Sequence, residues 1–546
     1  MAIAGGVRRS RQGAAGLRPV GTHGAVEAPA GPKPAASGEV GWRRETLGSA
    51  LLLILAAGLR LVRLDRGITG DEVILYGLAG RPLGEIYGAV MAQEVYSPLG
   101  AYLLHLWMRL GAGEVWARLY FVLFGLGLCA VVYSMSRELL GRRGALLVLA
   151  AAAASPLLIA SSQYIRGYAD GSFWSALGLV ALIRIWRGGG GRGAWLVYAG
   201  ATLVAFYIFY FTLLVWITTI LWLGWRLWRE SRPWRAWAAV HAGMAAGMVP
   251  GFLMAWYQLR HNASATRFNW AGTGFQLGSV HVGIFGRNLL ALFGFDPAFG
   301  FPGISRVLPA WILAVLLAAV SAGCAIVVAS GWRRLRAKGS SGGASFCIAV
   351  SVIPLVVSQA AGEMLGVFAN AKYLLVPHVV FLMVMVVAAL SLSRRGLAVA
   401  ACALIILVYA SRLEAVYQPE YDARGAERYV AAINSPGTMV LVLGPYPVAD
   451  RSGLPWLDVQ PLVQYDFPAA RYRLTDRRTL DAAMAGSSRV IYVRLYSNQE
   501  VFGGNAVILD YLATRRFALQ HTERFKNIDV MIFTLTRSDA GRTLAG

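Results

Sequence analysis

Long apolar segments follow one another through most of this chain of 546 residues, and they restrict the possible folds more than any other feature. A helix needs about 20 apolar residues to cross a bilayer, so each such segment is a candidate transmembrane helix. Eleven segments qualify, centred near residues 55, 126, 152, 177, 203, 219, 247, 319, 354, 382 and 404. Charged residues make up only 14% of the chain, which excludes an ordinary soluble enzyme. We expect an integral membrane α-helical bundle of about 11 transmembrane helices.

The basic residues indicate how such a bundle would be oriented. A net charge of +23 suggests nucleic acid at first sight, but the arginines lie mainly in short loops between apolar segments. They recur in every second loop: Arg137, Arg142 and Arg143; Arg184, Arg187 and Arg192; Arg226, Arg229, Arg232 and Arg235; Arg333, Arg334, Arg336 and Lys338; Arg394 and Arg395. The positive-inside rule makes that side cytoplasmic. The pattern predicts a multi-pass plasma (inner) membrane protein with a cytoplasmic N-terminus and no nucleic-acid partner.

Three regions follow from composition. Residues 1–44 are rich in Gly, Ala, Pro and Arg without apolar periodicity, which predicts a disordered basic cytoplasmic tail. Residues 45–413 hold the apolar segments, with an external loop at 65–114. Residues 414–546 alternate helical and strand patterns, which predicts a small extracytoplasmic α/β domain. Helices are expected at 423–434, 478–485 and 505–516, strands at 438–443 and 490–496, and a hairpin at 517–525 and 528–536. Substrate docking, capping of the membrane site and a purely structural role all remain open for this domain.

Two adjacent carboxylates, Asp71 and Glu72, stand where the chain leaves the first apolar segment. The pattern Thr69-x-x-Glu72 is that of a helix capping box, with Asp71 as a favourable charge in the first turn. Capping does not exclude catalysis, because it would fix the neighbouring Asp71 rigidly. A carboxylate at the membrane surface can act as a general base on a hydroxyl, so the local sequence supports both roles.

Two further polar groups lie at the outer ends of apolar segments. Gln163, Arg166 and Asp170 have the spacing i, i+3 and i+7, which predicts one helical face. They indicate either a buried Arg166–Asp170 pair or an anion site, because the guanidinium fork matches the oxygens of a lipid phosphate. Lys372 begins the tenth segment, where it either reaches the interface or supplies a second cation to that phosphate.

The external loop contains a second candidate surface. Apolar residues at 99, 103, 106 and 110 have helical spacing but span too little chain to cross a bilayer. We expect this helix to lie along the membrane surface, with His105 and Arg109 on its other face.

These residues together resemble a known family. The motifs, in order, are Asp71-Glu72, Tyr96-Ser97-Pro98-Leu99, Arg118, Ser155-Pro156, Ser162-Gln163-Tyr164-Ile165-Arg166-Gly167-Tyr168 and Lys372-Tyr373-Leu374-Leu375-Val376-Pro377. Over about residues 46–412 the chain resembles the protein O-mannosyltransferase and aminoarabinose transferase group. These are integral-membrane glycosyltransferases of the C-type fold that use polyprenyl-phosphate sugars.

The resemblance implies a role for each matched residue. Asp71 matches the catalytic carboxylate, and Glu72 the second acid that orients the loop, the acceptor or a divalent ion. Arg166 and Lys372, with Tyr373, match the site of the donor phosphate. The candidate cavity residues are Ser97, His105, Gln163, Tyr168 and Asp170. Ser97 stands where the family often has His or Pro, and Gly167 where it usually has a larger residue, so the sugar and the acceptor are not specified.

The function implied is that of an inverting glycosyltransferase. It would move a hexosyl or pentosyl group from a polyprenyl-phosphate donor to a hydroxyl of a glycan, lipid or protein at the outer membrane face. No cofactor is specified, and a divalent metal ion on Asp71 or Glu72 remains open. A membrane transporter or flippase of a lipid-linked substrate is the alternative. Such folds often show internal repeats and charges at mid-membrane depth, whereas here no repeat is evident and the polar groups lie near the outer surface.

Overall fold

The computed structural model describes residues 37–68, 71–92, 97–189, 191–230, 234–262, 282–294, 341–365, 371–392, 394–417, 422–433, 435–443, 456–458, 477–495, 505–526 and 528–536, with parts of 319–334. The chain divides into Met1–Leu47 and Gly48–Gly546. The first helix begins at Ser37, so residues 37–44 are helical and do not belong to the expected disordered tail. Helix growth is cooperative: once the apolar segment is helical, each residue before it can join the helix by adding one hydrogen bond. Residues 1–36 lie outside the described residues.

Fifteen helices of the described residues come before the C-terminal sheet region. They are α1 (Ser37–Leu61), α2 (Asp71–Ala79), α3 (Leu83–Met91), α4 (Pro98–Met108), α5 (Glu114–Ala154), α6 (Pro156–Ser162), α7 (Tyr168–Trp186), α8 (Arg192–Ile208), α9 (Leu213–Arg229), α10 (Arg235–Asn262), α11 (Val282–Leu292), α12 (Ser341–Leu365), α13 (Leu375–Leu390), α14 (Arg395–Ala410) and α15 (Leu413–Tyr417). Short 3-10 turns at Tyr210–Thr212 and Ala371–Leu374 lead into α9 and α13.

Six segments of the described residues are long and apolar enough to cross a membrane. They are Glu114–Ala154, Tyr210–Arg229, Arg235–His261, Gly342–Met364, Ala371–Leu390 and Gly396–Tyr417. The fold is thus that of a multi-pass integral membrane helical protein. The expected segments near 126 and 152 are two halves of α5, joined at Gly141, where φ is +77°. The segment near 319 lies largely outside the described residues, so the expected count of 11 remains a prediction.

The chain breaks between α5 and α6 at Ser155-Pro156. The residue before a proline is driven out of the helical region, and Ser155 is extended with φ −61° and ψ 119°. Its hydroxyl then accepts the Leu158 N–H at 3.4 Å and caps α6, while Pro156 occupies the first helical position. The central helix α13 is almost entirely buried and packs against α5, α12 and α14. Its His378 contacts the Ser155 hydroxyl at 2.9 Å.

The external loop folds into α2, α3 and α4. Helix α2 corresponds to the short helix that the sequence predicts at residues 72–80, and α4 corresponds to the helix predicted from the apolar residues at 99–110. The sequence did not predict α3. Leu75, Ile86 and Leu104 are buried in a common core with the start of α5 and with Ile165. The apolar face that was expected to lie on the membrane includes Leu106 of α4 and Leu110, two residues beyond its end, and both are exposed.

The C-terminal region forms a five-stranded mixed sheet covered by helices on both faces. Its elements are α16 (Ala423–Ala432), β1 (Thr438–Leu443), β2 (Trp456–Asp458), α17 (Arg477–Met484), β3 (Arg489–Leu495), α18 (Asn505–Thr514), β4 (Phe517–Phe525) and β5 (Ile528–Leu535). The strand order is β2-β1-β3-β5-β4; β1 pairs in parallel with β2 and β3, and β5 pairs antiparallel with β3 and β4. Alternate residues of β1 face opposite layers: Leu441 packs with α17 and α18, and Val440 with α16. The side of the membrane on which this sheet lies remains a prediction.

Candidate active site

A non-helical turn at residues 163–167 joins α6 to α7 and carries Arg166. The Arg166 N–H donates to the Tyr164 carbonyl at 2.8 Å, and the Tyr168 N–H donates to the Arg166 carbonyl at 2.6 Å. These tight local bonds replace the helical pattern between Ser162 and Tyr168. The expectation that Gln163, Arg166 and Asp170 share one helical face is therefore wrong. Residues at i, i+3 and i+7 lie on one face only within a continuous helix, and here the helix is interrupted.

Gln163 fixes the turn to the end of α1. Its side-chain amide donates to the carbonyls of Arg60 at 2.9 Å and Val62 at 2.8 Å, and Arg66 donates to the Gln163 carbonyl at 3.3 Å. Gln163 is fully buried, and its Oε1 has no hydrogen bond from any residue that the structure describes. The geometry makes it a positioning residue for the turn.

Glu72 lies at the centre of a buried ion pair. Arg118 Nε donates to Glu72 Oε1 at 3.2 Å and Arg118 Nη2 donates to Oε2 at 2.9 Å, and both side chains are almost wholly buried. This bidentate geometry is the strong form of an Arg–carboxylate contact. Arg118 also donates to the carbonyls of Leu64, at 2.6 Å, and Gly67. The guanidinium therefore holds the chain that leads into α2.

The Glu72 carboxylate makes one further bond that joins two distant segments. Its Oε1 accepts the backbone N–H of Ile165 at 3.1 Å. Ile165 directly precedes Arg166, and Asp71 directly precedes Glu72. The acidic loop and the Arg166 turn, 93 residues apart in sequence, are thus fixed against each other.

The position of Asp71 is defined by the backbone, since it is the first residue of α2. Its side chain lies outside the described residues, as do Thr69 and Tyr96. The capping box and the general-base role both remain predictions. Of the three roles expected for Glu72, its contacts with Arg118 and Ile165 favour that of orienting the loop.

Lys372 and Tyr373 contact the tyrosines on either side of Arg166. Lys372 lies in the 3-10 turn before α13, and its Nζ is 4.3 Å from the centre of the Tyr164 ring. The Tyr373 ring lies 5.8 Å from that of Tyr168. Because Tyr164 and Tyr168 flank Arg166, these contacts bring the segments of both expected phosphate-binding cations together.

The rings around this turn form an aromatic cluster. Tyr373 lies 4.2 Å from Phe211 and 5.1 Å from Phe209, measured between ring centres, and Tyr168 lies 5.3 Å from Phe209. Tyr168 is 2% exposed, so it contributes mainly packing. We call Tyr164, Tyr168, Phe209, Phe211 and Tyr373 the aromatic cluster.

Asp170 is buried in the first turn of α7. It accepts the Tyr120 hydroxyl at 3.4 Å and the Gly171 N–H at 3.0 Å. These are the partners of its carboxylate, so the alternative of an Arg166–Asp170 pair is wrong. The break at residues 163–167 separates the two side chains that helical spacing would have brought together.

Ser97 and His105 secure the external loop. The Ser97 hydroxyl donates to the Tyr207 carbonyl, which ties the start of α4 to the end of α8. His105 Nδ1 lies 2.8 Å from the Ala79 carbonyl, a geometry in which the ring N–H donates to the last residue of α2. Both residues position helices beside the turn, and their role as cavity residues remains a prediction.

Two buried charges at this end of the bundle were not singled out from the sequence. Arg60 is fully buried at the end of α1 and donates to the carbonyls of Ala56 and Ala153 at 3.2 Å and Ala152 at 3.3 Å, and to the Ser162 hydroxyl. Its signal in the sequence was an arginine inside an apolar segment. Glu114, the first residue of α5, lies 3.7 Å from Arg118 and 3.6 Å from Arg424 of α16.

Among the described residues no group of three or more His, Cys, Asp or Glu side chains could hold a metal ion. Both oxygens of Glu72 accept hydrogen bonds from Arg118. A divalent metal ion on Asp71 or Glu72 remains a prediction.

Among known proteins, the similarities found are to solved structures. No protein-family model and no curated protein matches the chain. The apo crystal structure of ArnT from Cupriavidus metallidurans is similar over 91% of this chain and 98% of its own, with 16% identity and a TM-score of 0.50. The same ArnT bound to undecaprenyl phosphate matches 91% of this chain and 98% of its own, with 17% identity and a TM-score of 0.46. The oligosaccharyltransferase AglB from Archaeoglobus fulgidus, in complex with an inhibitory peptide and a dolichol-phosphate, covers 90% of this chain and 74% of its own at 12% identity and a TM-score of 0.44. The apo ArnT structure shows that the chain shares its fold, and the fold expected from the sequence resemblance is confirmed.

Proposed function

We propose that this chain is an inverting glycosyltransferase that moves a sugar from a polyprenyl-phosphate donor to a hydroxyl acceptor at the outer face of the plasma (inner) membrane. The observation that carries the proposal is the bond from the Ile165 N–H to Glu72 Oε1. It brings together the two segments that must cooperate in such a reaction, one with the candidate base Asp71 and one with the candidate phosphate ligand Arg166. The fold shared with ArnT supports the same class.

The donor phosphate would be bound by Arg166 and Lys372. Glycosyl transfer builds negative charge on the leaving phosphate, and fixed cations stabilise such charge best. Lys372 is held over Tyr164, and the Arg166 turn is held by Gln163 and Glu72. Neither segment needs to rearrange when the charge develops. Within the aromatic cluster, the partly exposed Phe209, Phe211 and Tyr373 offer an apolar surface for the first isoprenyl units beside the phosphate.

The acceptor would be activated by Asp71. Its carboxylate takes the hydroxyl proton as the acceptor oxygen forms a bond to the anomeric carbon, and the bond from that carbon to the phosphate oxygen breaks with inversion. The polyprenyl phosphate leaves with the electron pair. Glu72 stays paired with Arg118 and holds the start of α2, so its part is to position Asp71.

The C-terminal α/β region adjoins the same end of the bundle. Arg424 of α16 lies 3.6 Å from Glu114, and a Cβ built on Gly67 would lie 3.5 Å from Cγ of Arg424. The sheet region and the loop of residues 65–114 are therefore on the same side of the membrane. A role in docking the glycan, lipid or protein acceptor above the site suits this position better than a remote structural role.

The test compares purified wild type with Asp71→Asn and the control Asp65→Asn, which changes an exposed acid six residues earlier. Release of free polyprenyl phosphate is measured with a panel of polyprenyl-phosphate sugars and a membrane-extract acceptor. We expect wild type and Asp65→Asn to turn over one donor and a folded Asp71→Asn to lose at least about a hundredfold in rate. Equal turnover by Asp71→Asn would reject Asp71 as the base, and transport of the donor without its cleavage would reject the enzyme class.

A further inference from the structure

Four charged side chains form a row that runs from the C-terminal region to the acidic loop. Arg424 Nη2 of α16 lies 3.6 Å from Glu114 Oε1. The other oxygen of Glu114 lies 3.7 Å from Arg118 Nη1, and Arg118 Nη2 lies 2.9 Å from Glu72 Oε2. Cations and carboxylates alternate, so each contact is attractive. We call these four residues the charge row, and it ends one residue from Asp71, the candidate base.

The net charge of the row depends on Arg424. Glu72, Glu114 and Arg118 are each at most 4% exposed, and two carboxylates with one guanidinium sum to −1. A buried group of charges with an excess of one sign is unfavourable, because desolvation is not offset by pairing. Arg424 is 43% exposed and brings the sum of the four charges to zero. A side chain of the C-terminal region thus balances the buried charges beside the candidate base.

A second contact from α16 reaches a partner of the same guanidinium. The Gly67 carbonyl accepts a hydrogen bond from Arg118. A Cβ built on Gly67 would lie 3.5 Å from Cγ of Arg424 and 3.8 Å from Cβ of Ala423, so α16 packs directly on this part of the loop. Helix α16 therefore contacts two of the groups that hold Arg118, one through charge and one through packing.

Arg424 is fixed to the sheet of its own region. Asp422 caps α16, since its carboxylate accepts the Gly425 N–H at 2.9 Å. The Asp422 N–H donates to the carbonyl of Lys526, between β4 and β5, at 3.0 Å. Ala426 of α16 is buried in one core with residues of β1, β3 and β5. A shift of the sheet would therefore move Arg424 with it.

We propose that Arg424 is a positioning residue through which the C-terminal region controls the candidate base Asp71. With Arg424 in place, Glu114 is paired with α16, and Arg118 remains with Glu72 at the start of α2. Without it, Glu114 competes with Glu72 for the Arg118 guanidinium, and the loop before α2 loosens. The effect on turnover rests on the proposed function, whereas the effect on the loop does not.

The test measures two properties of the full-length protein in detergent. Release of free polyprenyl phosphate gives kcat and the KM for the donor, and amide hydrogen exchange of residues 64–68 and α2 needs no substrate. The variants are Arg424→Gln, Arg424→Lys and a double variant that combines Arg424→Gln with Glu114→Gln. The matched control is Arg428→Gln, which changes an exposed arginine one turn later on α16.

Arg424→Gln should lower kcat roughly fivefold and speed amide exchange by a similar factor, because a partly exposed ion pair contributes up to about 1 kcal/mol. The KM for the donor should change less than about twofold, since both proposed phosphate-binding cations remain. Arg424→Lys should recover most of the loss because the charge is kept, and Arg428→Gln should match wild type.

The double variant separates a role of the charge from a role in packing. Without the Glu114 charge, Glu72 and Arg118 balance each other, so the double variant should be closer to wild type than Arg424→Gln alone. Wild-type exchange and turnover in Arg424→Gln would overturn the proposal, as would a double variant that is worse than the single one. If wild type turns over no donor, the proposed function fails, and amide exchange alone then decides the role of Arg424.

Discussion

The Ile165 N–H donates to Glu72 Oε1 at 3.1 Å, and the same oxygen accepts a bond from Arg118 at 3.2 Å. One carboxylate thus connects the loop after α1, the start of α5 and the turn before α7. A charge shared among three segments acts as a rigid junction, since moving any one of them would leave a buried charge or a buried amide without a partner. The residues next to this junction, Asp71 and Arg166, are those on which the proposed chemistry depends.

Arg118→Met should destabilise the protein strongly. It would leave the buried Glu72 and Glu114 without their shared cation, and breaking a buried pair from one side is unfavourable by about 3–5 kcal/mol. The free energy of unfolding can be measured by denaturant titration in detergent. Arg81→Met is the control, because Arg81 and Glu85 form an exposed pair at 4.0 Å and should contribute less than about 1 kcal/mol. Equal losses in the two variants would show that the buried junction does not hold the fold.

Arg166→Gln and Lys372→Gln should weaken donor binding without unfolding the protein. Each removes a charged hydrogen-bond donor from the proposed phosphate site, which corresponds to roughly a tenfold to hundredfold rise in the KM for the polyprenyl-phosphate sugar. Lys372→Arg should retain most of the affinity because the charge remains. The exposed Arg109→Gln serves as the control. The site would be misplaced if Arg109→Gln raised the KM as much as the other two changes.

Gly125→Ala should disturb the α5–α6 contact. A Cβ on Gly125 would overlap Cβ and Oγ of Ser162, whose hydroxyl accepts a bond from Arg60. Overpacking of this kind lowers stability by about 1–3 kcal/mol, and here it would also shift the start of the Arg166 turn. Thermal unfolding and turnover should both decline. Gly200→Ala, where a Cβ meets nothing within 4 Å, should leave both unchanged; a wild-type-like Gly125→Ala would contradict the close packing.

Arg60→Met should destabilise the break between α5 and α6. Pro156 has no N–H to offer the Ala152 carbonyl, which instead accepts from Arg60, as does the Ala153 carbonyl. Losing these donors should be unfavourable by roughly 1–3 kcal/mol for each carbonyl. Arg60→Lys should recover part of the loss, and the exposed Arg63→Met provides the comparison in the same unfolding assay. No difference between Arg60→Met and Arg63→Met would rule out this capping role.

Local pattern in the sequence predicts much of the architecture. The strand at 438–443 coincides with β1, and the expected hairpin agrees with β4 and β5 to within one residue. Apolar segments near 219, 247, 354, 382 and 404 each correspond to a helix long enough to span a membrane. These features follow from periodicity and segment length, which depend on neighbours in sequence alone.

The hydrogen-bond and ion-pair partners of the charged groups could not be predicted from periodicity or segment length. Local sequence left both a capping box with Thr69 and a catalytic role open for Glu72, and it did not predict that the carboxylate binds Arg118, 46 residues away, and Ile165, 93 residues away. Helical spacing likewise placed Arg166 with Asp170, whereas Asp170 binds Tyr120, 50 residues earlier. The sequence by itself determined which segments are helices and strands, because each type of buried segment has a characteristic length and periodicity of apolar residues. Only the tertiary structure decided which charged groups form pairs. A buried ionisable group pairs with the group that long-range packing brings within about 3 Å, and such a partner cannot be predicted from local periodicity.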